Sequence, residues 1–88
     1  MNHRHRKILH AIFAHPVSAN IPVSGVEAVL KELGAELSTG GHGQLQVRLA
    51  GKAHAFRHHG HDLSPDQVRE LRRFLTDCGI EPSTQYPL

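Results

Sequence analysis

Between Leu37 and His61 the chain has no Asp or Glu, yet it holds Arg48, Lys52 and Arg57 together with five histidines: His42, His54, His58, His59 and His61. An imidazole titrates near neutral pH, so it can take a proton from a hydroxyl and give one to a leaving oxygen. Arginine presents a planar fork of donors that matches two phosphate oxygens, and lysine presents a compact charge. Acid–base groups beside unopposed positive charge are what phosphodiester binding and cleavage require. A local basic patch also favours phosphate-bearing partners more than the formal net charge of +2 suggests. A solvated strand surface is the plainer account of the same residues.

Within this stretch two groupings stand out. His42 sits in the turn Gly40-Gly41-His42-Gly43, where backbone N–H groups can approach a phosphate. It is a candidate acid–base residue or a surface loop histidine. His58-His59-Gly60-His61 places three imidazoles in four positions, as candidate acids, bases or phosphate contacts. It makes a poor metal site. His58 and His59 point to opposite faces of a continuing strand, and no Cys or paired carboxylate completes a ligand set, Asp62 being the one nearby acid. No metal or other cofactor is therefore expected. Gln44, Arg48, Lys52 and Arg57 are the candidate RNA contacts. The few aromatics, Phe13, Phe56, Phe74 and Tyr86, belong mostly to the core. That argues against base stacking and for recognition of shape and backbone, as in double-stranded RNA.

These residues need elements to hold them. Gln44 to Ala50 alternates, with Leu45, Val47 and Leu49 on one face and Gln44, Gln46 and Arg48 on the other. Ala35–Thr39 and Ala53–His58 read as its neighbours, the latter joined through a tight connection at Gly51-Lys52. The sheet is expected to be buried on one face, leaving Gln44, Gln46, Arg48 and Arg57 on the other. A first helix spans Arg4–Ala14, ends at Pro16 and carries the stripe Ile8, Leu9, Ile12, Phe13. A linker follows to Val23. A second helix starts at Ser24 with a Ser24/Glu27 capping box and stops at Gly34. The last helix has Ser64 as N-cap, Pro65 at its first position, Gln67 completing a capping box, the stripe Val68, Leu71, Phe74, Leu75, Cys78, and Gly79 as its stop. Arg69, Arg72 and Arg73 read as its solvated face. Glu81–Leu88 reads as a frayed tail. Helices segregated from a three-stranded antiparallel meander give an α+β domain over residues 1–80. The second and last helices cover the sheet, and the first helix is an edge addition or a dimer element.

At 88 residues there is room for one domain. Its single cysteine, Cys78, allows no internal disulfide and reads as a small apolar filler. No apolar run approaches the roughly 18–20 residues of a membrane span. The basic leader is followed by a stretch broken by His10 and His15, unlike a signal peptide. A cytoplasmic, membrane-free protein is expected.

From about Ile21 to Ile80 the chain resembles the HicA family of bacterial toxins. The resemblance is carried by Val29-Leu30-Lys31-Glu32-Leu33-Gly34-Ala35-Glu36-Leu37, the glycine-rich turn, the hairpin, the basic histidine-containing segment, and Arg72-Arg73-Phe74-Leu75 with Cys78-Gly79-Ile80. Arg6-Lys7-Ile8-Leu9-His10-Ala11-Ile12-Phe13 looks like a subgroup with an extra N-terminal helix. The resemblance implies a fold like that of double-stranded-RNA-binding domains, metal-free mRNA cleavage and neutralisation by a HicB-type antitoxin. The family's Gly-Ser-His hallmark, with a catalytic histidine at the start of the second strand, is replaced here by Gly40-Gly41-His42-Gly43-Gln44. A gap-free match puts Gln44 at the catalytic position, and a shifted turn puts His42 there. Two other functions remain open on the same fold: a non-catalytic nucleic-acid-binding module, and a small interaction protein forming a homodimer.

Overall fold

Asn2 decides where the chain first becomes helical. Its side chain accepts the His5 N–H at 2.8 Å, and an apolar stripe follows at helical spacing. The computed structural model describes residues 1–16, 21–40, 44–57 and 61–88. The described elements run α1 (His3–Ile12), β1 (Ile21–Pro22), α2 (Val23–Glu32), β2 (Glu36–Gly40), β3 (Gln44–Leu49), β4 (Lys52–Arg57), β5 (Asp62–Leu63), α3 (Pro65–Asp77) and α4 (Pro82–Gln85). The expected α+β arrangement, with a three-stranded antiparallel sheet ordered β2-β3-β4, is present.

Helix α1 is not a peripheral addition. Leu9 and Ile12 are fully buried in the same core as Val26, Val29, Leu30, Val68, Leu71 and Leu75. Leu9 and Ile12 of the apolar stripe of α1 are thus spent on the core with α2 and α3, while Ile8 and Phe13 are half-buried at its margin. Gly25 permits the close approach, because a Cβ there would stand 2.8 Å from Ile8 Cδ1. At the other end of α1, His5 Nδ1 hydrogen-bonds the Glu32 carboxylate, and the N-terminal amine lies 3.8 Å from it.

Three further expectations need correction. Helix α2 begins at Val23, with Pro22 as N-cap and no side-chain cap, so the Ser24/Glu27 box does not form. The Val23 N–H instead donates to the His61 carbonyl at 2.8 Å, beside a short β1–β5 ladder that pairs Ile21 with Leu63 and Pro22 with Asp62. The supposed tail contains α4, whose Pro82 is buried, and His10 Nε2 lies 2.7 Å from the Tyr86 carbonyl oxygen. The side chain of Arg72 is half-buried rather than solvated: its Nη1 is 2.9 Å from His15 Nε2. Helix α3 has the expected start, with Ser64 and Gln67 each hydrogen-bonding the other's backbone.

Among the described residues no helix is long and apolar enough to cross a membrane.

Candidate functional site

The hairpin β3–β4 turns on two residues, Ala50 and Gly51, with φ of 54° and 77°. Two successive positive φ values define the type I′ turn whose twist suits a two-residue hairpin. The connection is therefore Ala50-Gly51, and Lys52 already belongs to β4. That sets the register, pairing Leu49 with Lys52, Val47 with His54, Leu45 with Phe56 and Gln44 with Arg57. Leu45, Val47, Leu49 and Phe56 are buried towards the helices.

The opposite face is a small grid of three cross-strand rows. Glu36, Arg48 and Ala53 form one row, Ser38, Gln46 and Ala55 the next, and Gly40, Gln44 and Arg57 the last. Ser38 Oγ donates to Gln46 Oε1 at 3.2 Å. Arg48 and Arg57 are exposed and Gln44 is half-buried. At ordinary strand spacing the two arginine Cα atoms stand about 14 Å apart. Two long cationic arms on a polar platform fit a run of phosphates better than one small anion. The platform is not purely basic, because Glu36 lies directly beside Arg48.

Of the other proposed contacts, Lys52 is on the helix-facing side of the sheet, where its Nζ donates to the Asp77 carbonyl at 2.9 Å. It does not join Arg48 and Arg57. His61 is exposed just before β5, and its carbonyl holds the start of α2. His42, His58 and His59 lie outside the described residues. Their chain neighbours do not: residues 41–43 join Gly40 to Gln44, residues 58–60 follow Arg57, and Gln44 pairs with Arg57. Both histidine-bearing segments are thus covalently attached at one end of the grid.

His54 was not singled out by its spacing, yet it is the strand histidine with a carboxylate partner. Its Nε2 is 3.7 Å from a Glu70 carboxylate oxygen, and its ring packs against Phe56 and Phe74 at centroid distances of 4.6 and 5.9 Å. Glu70 is sixteen residues away in sequence, so only the fold reveals the pair. It faces α3, away from the arginine grid. Cys78 donates its thiol to the Leu49 carbonyl at 3.4 Å. Burial pushes its pKa up, with Lys52 opposing and Asp77 adding to the shift, as befits a packing residue rather than a nucleophile. Among the described residues no group of three or more His, Cys, Asp or Glu side chains converges as metal ligands.

A wide depression of ≈ 760 Å³ lies between the ends of α1 and α3 and the start of α4, bordered by His10, His15, Thr76 and Glu81. Among the described residues that line it there is no arginine or lysine to match the grid.

The chain matches no protein-family model. No curated protein and no solved structure matches it significantly.

Proposed function

We propose that this domain binds the phosphate backbone of RNA on the open face of its sheet. One observation carries the proposal: Gln44, Gln46, Arg48 and Arg57 share a single face, while the helices lie on the other. Arginines can grip phosphates at two separated points, and the amides can hydrogen-bond sugar and phosphate oxygens without reading sequence. The succession α2-β2-β3-β4-α3, interrupted only by the two-residue β5 before α3, supports a layout like that of double-stranded-RNA-binding domains, in keeping with the resemblance to HicA toxins.

Following that resemblance, the domain is a ribonuclease toxin of a bacterial toxin–antitoxin pair, with an antitoxin protein as partner. Histidines attached at the Gln44–Arg57 end of the grid would take the proton from a ribose 2′-hydroxyl and return one to the leaving oxygen, while Arg57 offsets charge on the phosphate. A non-catalytic RNA-binding module is the second reading. It is favoured by Gln44, which occupies the catalytic position of a gap-free match and has no acid–base capacity.

Incubation with total RNA separates the two. A toxin cleaves RNA, and His42→Ala or the triple change His58→Ala, His59→Ala, His61→Ala abolishes cleavage while binding persists. Binding without cleavage by the unaltered protein assigns the non-catalytic module. No RNA binding at low salt refutes both.

A further inference from the structure

Among the described residues the sheet order leaves β4 with one unpaired edge. The type I′ turn makes Leu49–Lys52 the hydrogen-bonded closing pair, so Lys52, His54 and Phe56 direct their backbone groups inward to β3. Ala53, Ala55 and Arg57 direct theirs outward. Among the described residues no backbone group outside the sheet meets them. Natural edges are usually blunted by proline, a bulge, a covering segment or charged side chains, and β4 carries the last of these in Lys52 and Arg57, which bar a cationic strand but not an acidic one. β4 has no proline, and its register with β3 runs without a bulge.

We propose that the free edge of β4 receives an extended segment of a partner protein as a fourth strand, with acidic residues at alternate positions and a basic residue between two of them. Outward backbone groups supply the ladder, and recesses on the two faces select the side chains. On the grid face Ala53 and Ala55 present only methyl groups, leaving a shallow recess of ≈ 220 Å³ bordered by Gln46 and Arg48. An acidic side chain laid over Ala53 meets Arg48, and one two rows further along stands beside Arg57. On the helix face a groove of ≈ 400 Å³ is lined by His54, Glu70, Arg73, Phe74 and Asp77. Aromatic walls with two carboxylates against one arginine suit a long apolar stem with a cationic head.

A second copy of this chain fits less well. Its own β4 reads Lys-Ala-His-Ala-Phe-Arg and would bring no carboxylate to Arg48 or Arg57, and its other edge strand, β2, reads Glu-Leu-Ser-Thr-Gly and brings one carboxylate for the two arginines, with no basic residue. Charge complementarity therefore selects a different protein. The site shares these two arginines with the proposed RNA face, but its test involves no RNA, so either proposal can fail alone.

The probe is a synthetic peptide, Thr-Glu-Val-Glu-Arg-Glu-Thr, with Thr-Lys-Val-Lys-Glu-Lys-Thr as its charge-swapped control. Amide hydrogen exchange on ¹⁵N-labelled protein should slow at least tenfold at Ala53, Ala55 and Arg57 with excess acidic peptide. It should change little at Lys52, His54 and Phe56. The control peptide should bind at least tenfold more weakly. Ala55→Pro removes an outward N–H and should weaken binding by a similar factor; if that variant does not fold, the exchange pattern and peptide comparison on the unaltered protein decide. No binding at millimolar peptide, equal binding of both peptides, or protection centred on other amides overturns the proposal. So does a dimer in sedimentation whose same three amides are protected without peptide, which makes a second copy the occupant.

Discussion

Leu9→Ala asks whether α1 belongs to the domain core or merely rests on it. Leu9 is 0% exposed and packs within the cluster that unites α1, α2 and α3. Truncating such a leucine removes its transfer free energy and leaves a cavity, at a cost of about 2–5 kcal/mol. An 88-residue domain has a total stability of roughly 4–13 kcal/mol, so this one change removes a large share. At about 4–8 °C per kcal/mol the melting temperature should fall by at least ~8 °C. Urea denaturation followed by far-ultraviolet circular dichroism suits a chain without tryptophan. Lys7→Ala, on the exposed face of the same helix, is the control and should stay within about 0.5 kcal/mol. A loss below about 1 kcal/mol for Leu9→Ala would refute the integral role of α1.

Two further perturbations test the frame of the site. Ala50 holds a φ of 54°, which costs a residue with a Cβ roughly 1 kcal/mol, so Ala50→Asn should raise stability by several tenths to 1 kcal/mol in the same titration; destabilisation would contradict the type I′ turn. Cys78, held protonated chiefly by burial, should alkylate more slowly at pH 8 than in the urea-unfolded chain, with the gap narrowing as pH rises. Because its folded pKa is raised, the matching stability is full below the unfolded thiol pKa and is lost as pH climbs towards the folded one. Equal native and unfolded rates at pH 8 would refute the packed thiol.

The strongest local signals were the ones that could be read in advance. Ser64, Pro65 and Gln67 mark the start of α3 through chemistry confined to four residues, and Leu45, Val47 and Leu49 state their face by alternation alone. The α+β layout and the shared face of Gln44, Gln46, Arg48 and Arg57 follow from such signals. The features that no local signal marks depend on distant partners. The two-residue strands β1 and β5 are too short to show a period, and they exist because Ile21 and Leu63 meet. The start of α2 rests on a carbonyl thirty-eight residues further along rather than on its own Ser24. The side taken by Lys52 follows from a turn centred on Ala50, a residue that rarely adopts positive φ. The His54–Glu70 pair joins a strand to a helix across the fold, beyond the reach of any spacing rule.

The salt dependence of RNA binding tests the grid most directly. Affinity for a double-stranded RNA should fall steeply with salt, and Arg48→Gln and Arg57→Gln should each lower the log–log slope by about one. Lys52→Gln, on the opposite face and bonded to the Asp77 carbonyl, should leave the slope unchanged. A slope that falls equally for all three, or that neither arginine change alters, would contradict a phosphate-binding surface on the open face of the sheet.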